Sequence, residues 1–493
     1  MTGPHLQSID WLAIAAPLVV AGTAIVVLLV DAFAGPRRSA RAALVPTALT
    51  VVGLAVAVWP ATRLWGQTRE TFCVVRPLSA PSGCSFVVDR FTLVFWGIVL
   101  FGGVVVALLG TASVAEMRTP MGEWNFLLLC SVAGALTLAG ARDLVTLVVA
   151  LEVVSLPAFA MAGLRRDDPR AAEASLKFFL VSVISTAVML MGISLVYGVT
   201  GSVFFSDIHT ALAVGVVARP VAVAGTLLTI VGLAFKVAAV PFHMWVPDVY
   251  VGSPVAIAAY LSVVSKAAGF VGLMLVLTYA LPAFADVWAP IVAVLAALTM
   301  TVGNTLALWQ RHAVRLLAWS SVAQAGYILV PFAAATRADR ALGPSMAYLA
   351  IYAFLNLGAF AVATVVGSRY PGQSLDDYRG LVREEPGAGW TLAFCLVALA
   401  GLPPGIVGLL AKVVVFDSVA GPATWLAVVM VANVAIGLVY YMRWLVVLFA
   451  PPAEPGASAY NVPNGVAVAI GMCLTAGLFF SVLPGVLLDP LLR

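Results

Sequence analysis

From Trp11 onward the chain keeps returning to stretches of about twenty residues with almost no charge, separated by short clusters of proline, glycine and arginine. A bilayer core about 30 Å thick takes roughly 20 apolar residues per helix. Within it every backbone N–H and C=O must be satisfied inside the segment, so helices are what such stretches form. Breaks at the polar clusters place spans near 11–31, 42–59, 92–114, 124–140, 144–162, 175–198, 219–242, 254–280, 289–309, 316–333, 345–368, 390–420, 424–449 and 463–486. The reading is an all-α polytopic membrane protein of about 14 transmembrane helices.

Composition agrees with that class: 62% of the 493 residues are hydrophobic and only 10% are charged, which excludes an ordinary soluble domain. The first stretch follows Asp10, with no lysine or arginine before it and no small-residue cleavage site after it, so it reads as a retained helix. The net charge of +4 comes with arginine in the loops, which is topology signal and not a nucleic-acid surface.

With the N-terminus outside, the inner loops carry Arg37, Arg38, Arg41, Arg118, Arg165, Arg166, Arg170, Arg311, Arg315, Arg369, Arg379 and Arg383. The outer segments carry Arg63, Arg69, Arg76, Arg90, Arg142, Arg219, Arg337, Arg340 and Arg493. The excess favours both termini outside. Cys130, Cys395 and Cys473 fall in apolar spans and read as small hydrophobes. Cys73 and Cys84 bracket a Pro/Ser/Gly-rich segment of the long 60–90 loop, and a local disulfide is expected there if the loop faces an oxidising compartment.

The only four lysines of the chain, Lys177, Lys236, Lys266 and Lys412, all fall inside apolar stretches, and so does Glu152. A charge in mid-membrane costs a few kcal/mol at least, so each must be paired, hydrated or neutral. Lysine can be desolvated until it releases its proton near neutral pH, whereas arginine stays charged. Codon preference for arginine at surfaces explains missing loop lysines but not four retained in spans. Lys236, Lys266 and Lys412 therefore read as a proton relay with Glu152, whose carboxylate favours the ammonium of a lysine beside it and releases the proton on moving away. Spacing alone does not say which lysine that is, though the repeat described next favours Lys236. Lys177 stands near the start of its span and reads equally as relay or as interfacial support. His243 reads equally as a proton carrier between Lys236 and the inner surface or Lys266, and as a hydrogen-bonded interfacial histidine. His5, His209 and His312 lie in terminal or loop contexts.

The sites recur. Glu152, Lys177 and Lys236 are followed at similar intervals by Gln324, Tyr348 and Lys412, each set ending in a helix broken by proline, at Pro241 and at Pro403-Pro404. Proline removes a backbone donor and leaves carbonyls free in the gap. Two five-helix units follow, at 124–280 and 281–449, preceded by helices 1–3 and the long loop (1–123) and followed by a last helix (450–493). An odd helix count inverts the second unit relative to the first. No glycine-rich phosphate loop, Cys-x-x-Cys pair or metal-spaced His/carboxylate cluster occurs, so neither a metal nor a redox cofactor is expected on this chain.

These motifs resemble the antiporter-like subunits of respiratory complex I, the bacterial NADH:quinone oxidoreductase. The most telling are Leu164-Arg-Arg-Asp-Asp-Pro-Arg-Ala-Ala-Glu-Ala-Ser-Leu-Lys-Phe-Phe-Leu, Gly192-Ile-Ser-Leu-Val-Tyr-Gly, Phe235-Lys-Val-Ala-Ala-Val-Pro-Phe-His-Met-Trp-Val-Pro-Asp-Val-Tyr, Arg315-Leu-Leu-Ala-Trp-Ser-Ser-Val-Ala-Gln-Ala-Gly-Tyr and Gly401-Leu-Pro-Pro-Gly-Ile-Val-Gly-Leu-Leu-Ala-Lys. The resemblance implies fourteen helices with two inverted five-helix units and a central hydrophilic axis through Glu152, Lys236, Lys266 and Lys412. It also implies NADH, FMN, iron-sulfur clusters and quinone in partner subunits, with antiporter-like subunit M, small subunit K and lipids as neighbours. Lys412 matches the N-type subunits, whereas the M-type carry glutamate there. Gln324 departs from the histidine common in the family, and the Cys73 to Cys84 loop is longer than usual. Quinone chemistry elsewhere would shift Glu152 relative to Lys236 and drive the proton through Lys266 toward Lys412. The rivals are a subunit of a multi-subunit sodium/proton antiporter, a membrane-bound hydrogenase subunit, and a scaffold whose buried charges only hold helices together.

Overall fold

The computed structural model describes residues 9–33, 44–74, 83–117, 120–165, 168–215, 217–333, 339–452 and 462–492. His5, Arg37, Arg38, Arg41, Arg76, Arg118, Arg166, Arg337 and Arg493 lie outside the described residues, as does the side chain of Arg340. Thirteen described helices are long and apolar enough to cross a membrane. In chain order the helices are α1 (Ala15–Phe33), α2 (Val45–Leu64), α3 (Arg90–Met117), α4 (Met121–Gly140), α5 (Leu144–Ala162), α6 (Pro169–Thr200), the short α7 (Phe205–Val214), α8 (Arg219–Lys236) and the short α9 (Trp245–Gly252). There follow α10 (Val255–Ala280), α11 (Ala285–Leu308), α12 (Ala313–Ala333), α13 (Asp339–Arg369), α14 (Pro386–Ala400), α15 (Ile406–Ala420), α16 (Thr424–Phe449), α17 (Asn464–Val482) and α18 (Gly485–Leu492). The apolar stretch 390–420 is α14 and α15, broken around Pro403-Pro404, and together they supply a fourteenth crossing. The last stretch, 463–486, ends earlier, because Pro484 separates α17 from α18. The second stretch runs on to Leu64, since Pro60, one turn before the end of α2, removes one ladder bond without ending the helix.

Local chemistry sets the ends. Asp143 caps α5 by accepting from the N–H groups of Val145 and Thr146, and Asp168 caps α6 ahead of Pro169. Gly201 closes α6 at φ +70°, a left-handed conformation that glycine adopts without a Cβ penalty. Part of the long 60–90 loop is a β-hairpin of β1 (Arg69–Val74) and β2 (Gly83–Val88), antiparallel with Cys73 opposite Cys84. The β-branched and aromatic residues of Thr71-Phe-Cys-Val and Ser85-Phe-Val-Val suit a pleated ribbon.

The loops gather at two ends of the bundle. At one, Arg142 N–H donates to Ser85 O (2.9 Å), Phe205 N–H to Arg142 O (3.0 Å) and Asp10 N–H to Thr71 Oγ1 (3.1 Å), joining the start of α1, the hairpin, the α4–α5 turn and the α6–α7 turn. At the other, Ala313 N–H donates to Gln373 O and Leu375 N–H to Arg311 O, each at 2.8 Å.

Hydropathy does not separate central from peripheral helices, but burial does: α13 is buried over the whole of its most apolar window, whereas α1 is buried over only 28% of its own. Helices α10, α12 and α13 form the centre. Helices α6 and α8 pack closely through Gly192 and Gly232, where a Cβ would collide with Thr229 N and Met189 Cβ. That approach brings the end of α8, and Lys236 with it, against α6.

Candidate functional site

Helix α8 ends at Lys236 itself. Ala238 turns into the left-handed region at φ +61°, Val240 N–H leaves the helix to donate to Thr299 Oγ1 (2.9 Å), and the chain resumes as a helix only at Trp245. The helix therefore stops five residues before Pro241. The lysine is presented at a helix end, with its Nζ in a cup of three groups: Glu152 Oε1 at 3.3 Å, Ser155 Oγ at 2.9 Å and Ser182 Oγ at 2.9 Å. Glu152 Oε1 accepts a further bond from Thr186 Oγ1 (2.8 Å). The pair is asymmetric, for the lysine side chain is 8% exposed and the glutamate side chain 26%. Among the three relay lysines, Lys236 is thus the one that meets the carboxylate.

Lys266 lies at the junction where a π turn, Leu261–Ser265, re-enters α-helix, a distortion that re-aims side chains and recurs at functional sites. It is buried, and its Nζ donates to Ser321 O (2.7 Å) and Ser321 Oγ (3.0 Å) on α12. No ion pair to it occurs among the described residues. Gly269, one turn on, packs against the backbone of Lys236, so the first two lysines stand on touching elements.

Lys412 occupies the second break. Helix α14 stops at Ala400 with Gly401 at φ +89°, which leaves the Leu399 carbonyl without its helical partner, and Lys412 Nζ from α15 donates to it at 2.5 Å. The amine sits at a helix C-terminus, where the peptide dipole favours positive charge. Both breaks contain a cis prolyl bond, Val240-Pro241 and Pro403-Pro404. In all three cases regular helix is interrupted at or beside the lysine.

Residues 141–437, which contain all four axis residues, match the family described as NADH:quinone oxidoreductase/Mrp antiporter, TM. The chain belongs to this family. A Streptomyces griseus protein named NADH-quinone oxidoreductase subunit N 2 is 50% identical over 97% of this chain and 92% of its own length. A Salinispora tropica protein named NADH-quinone oxidoreductase subunit N is 41% identical over 90% of this chain and 86% of its own. Among solved structures, a chain of respiratory complex I from Thermus thermophilus with bound aureothin is 29% identical and superposes with a TM-score of 0.77, covering 96% of this chain and 98% of that one.

Within this antiporter-like subunit the remaining sequence candidates separate. Lys177 is on the surface, 2.6 Å from Glu173 and 3.3 Å from Asp248, with Arg315 also reaching Asp248 at 3.5 Å. That exposed ion cluster is separate from the Lys236 cup. His243 is buried beside Trp319, ring centroids 5.4 Å apart, and no hydrogen bond joins it to Lys236 or Lys266 among the described residues. Cys73 and Cys84 are joined as a disulfide, and the hairpin that carries them seats Phe86 against Ala141. Close by, Arg142 Nη2 meets Asp89 Oδ2 at 2.6 Å.

Reading the sequence singled out Gln324 and Tyr348 but missed the hydroxyls and amides that surround them. Tyr348 Oη donates to Gln324 Oε1 (2.5 Å), Gln324 Nε2 donates to Tyr441 Oη (3.1 Å), and Tyr441 shares a hydrogen with Ser320 Oγ (2.5 Å). Beyond them Tyr440 donates to Asn304 Oδ1 (3.0 Å) and Asn304 Nδ2 to Asn433 Oδ1 (3.2 Å). The one available signal was the count of polar residues in spans that turn out to be buried on every side.

A polar cavity of about 460 Å³ opens at the end of the bundle that carries Arg165, Asp168, His312 and Gln373, and it reaches inward to Ser253 and Tyr250. The Ser253 hydroxyl is buried with no hydrogen-bond partner among the described residues, the condition that ordered water relieves. Tyr250 lies against Ser321, the partner of Lys266. Outside the spans, His312 is held below the usual histidine range by burial, and then by the neighbouring Arg315.

Proposed function

We propose that this chain is a proton-translocating membrane subunit of an NADH-quinone oxidoreductase, a non-redox part of a translocase, moving protons along Glu152, Lys236, Lys266 and Lys412. The observation that carries it is the common construction of three buried lysines, each held by neutral acceptors at an interruption of regular helix, with a single carboxylate placed on the first. Structural ion pairs would need a partner for each of the three buried lysines; among the described residues, only Lys236 of the three has one. Shifting Glu152 away from Lys236 frees the proton, and the cavity toward Tyr250 offers Lys266 a path for water from one face. His243 and Lys177 would act as support. The repeated pattern of a lysine at a broken helix favours two units, 124–280 and 281–449, between a leading 1–123 segment and a closing 450–493 segment.

NADH, FMN, iron-sulfur clusters and quinone would reside in the partner subunits. An apolar face of α5 and α6, exposing Val145, Val149, Leu156, Leu176, Leu180 and Ile184 beside Glu152, suits a neighbouring membrane subunit or lipid. Subunits M and K are the expected neighbours. The setting would be a bacterial plasma membrane with both termini outside. In support, Arg165, Arg170, Arg311, Arg315, Arg369, Arg379 and Arg383 belong to the cavity end, and Arg443 joins them by capping Leu308 O and Gln310 O.

The test is quinone-coupled proton uptake by the assembled complex in liposomes. Lys236→Ala and Glu152→Ala are each expected to reduce it, and normal uptake with normal assembly rejects the reading. Uptake that instead requires sodium in exchange would favour the antiporter alternative.

A further inference from the structure

Gln324 stands between Lys266 and Lys412, yet its amide has no free role in proton transfer. Its carbonyl oxygen is occupied by Tyr348 and its nitrogen by Tyr441, and a neutral amide neither gains nor loses a proton readily at pH 7. A path must therefore pass around it. Tyr352 of α13 lies on both sides of the gap. Its hydroxyl donates to Ser262 O (3.1 Å) and lies against the side chain of Ser321, which already binds Lys266. The same tyrosine lines a small cavity with Gln324, Tyr348 and Lys412. That cavity measures about 10 Å³, room for one water and no more.

We propose that Ser321, Tyr352 and one water form the link between Lys266 and Lys412, with Gln324 acting only as a wall that positions Tyr348. Resting on the proton-translocating reading above, the step runs as follows. The Lys266 ammonium gives a proton to Ser321 Oγ while Ser321 passes its own hydroxyl proton to Tyr352 Oη. Tyr352 passes its own to the water, and the water gives one to the neutral amine of Lys412. Each hydroxyl and the water end with the hydrogens they began with, and one proton has moved. Resetting requires only that Ser321 turn back to Ala318 O and Tyr352 back to Ser262 O, the acceptors they hold in the structure.

The experiment compares Tyr352→Phe, Ser321→Ala, Gln324→Met and Lys266→Ala in the assembled complex in liposomes, reading the rate of quinone reduction and the protons taken up per quinone. Tyr352→Phe keeps the ring and removes the hydroxyl. It and Ser321→Ala are expected to slow coupled turnover about tenfold or more, or to lower the proton ratio, as is expected of Lys266→Ala. Gln324→Met, which loses hydrogen bonds but no carrier, is expected to lower the amount of assembled complex and leave the proton ratio of what assembles unchanged. If Tyr352→Phe fails to assemble, Ser321→Ala decides. Normal coupling in these variants beside a defective Lys266→Ala overturns the link while leaving the proposed function standing, as does a Gln324→Met complex that fails like Lys266→Ala. Normal coupling in Lys266→Ala overturns the proposed function and the link with it.

Discussion

Glu152→Gln isolates what the carboxylate contributes. The amide keeps the shape and still accepts from Thr186, and Ser155 and Ser182 still hold Lys236, so only the charge is lost. Two unit charges at the observed 3.3 Å interact by about 5 kcal/mol at an effective dielectric constant near 20, and by about 1 kcal/mol in water. The Glu152 side chain is 26% exposed, which places the pair in the lower half of that range. At 1.4 kcal/mol per factor of ten, the ratio of protonated to neutral Lys236 should fall about tenfold to a hundredfold relative to the native subunit. The assay is NADH-driven proton uptake by liposomes containing the assembled complex, with the amount of assembled subunit measured in parallel. Coupled turnover is expected to fall by a similar factor, with Glu152→Asp intermediate. A Glu152→Gln complex with native turnover and native proton uptake would refute the claim that this charge governs Lys236. A defect equally large in Ser155→Ala would show that the cup of hydroxyls, rather than the charge, holds the proton.

Gly401→Ala should be costly: alanine at φ +89° is strained by about 1–2 kcal/mol, and its Cβ would stand 3.2 Å from Lys412 Cδ, so coupled turnover should drop about tenfold with assembly largely retained. Asp89→Asn should destabilise the assembled subunit by about 3 kcal/mol, the lower end for a broken buried pair because Asp89 keeps some exposure, read as a lower melting midpoint in detergent. His312 is held below the usual histidine range, and its Nδ1 accepts from Arg315 N–H (3.4 Å), so the folded form prefers the neutral ring. Its stabilising contribution is present above the unfolded histidine pKa of about 6.5 and is lost as pH falls through the lower folded value. Melting midpoints measured from pH 7.5 down to pH 5 should therefore fall less steeply in His312→Gln than in the native chain.

Much of this was legible in the sequence because a membrane makes helices obligatory: the apolar stretches gave the crossings, and the two proline clusters marked both interruptions. What could not be read was where each break falls. Helix α8 ends at Lys236 because Ala238 takes a left-handed conformation and Val240 finds Thr299, a residue far along the chain, so Pro241 follows the break and does not begin it. The π turn before Lys266 has no sequence mark at all, as Leu261-Ser-Val-Val-Ser would continue an ordinary helix.

The four lysines show the limit most clearly, since all lie in apolar windows and composition treats them alike. They are separated by depth and by neighbours that only the packing brings in. Lys177 sits two turns into α6, where the helix end is still open to solvent and Glu173 and Asp248 neutralise it. Lys266 and Lys412 are held instead by a carbonyl each, Ser321 O and Leu399 O, acceptors that the backbone itself supplies. A carbonyl can hold an amine in either protonation state, because the neutral form still has hydrogens to donate, whereas a carboxylate selects the charged form. Backbone acceptors therefore leave those two sites free to fill and empty, and a fixed acid on either would trap the proton. On that ground, introducing a carboxylate beside Lys412, as in Ala411→Glu, should stall coupled turnover even where the variant assembles in full. Unimpaired turnover would show that the neutrality of the site is incidental.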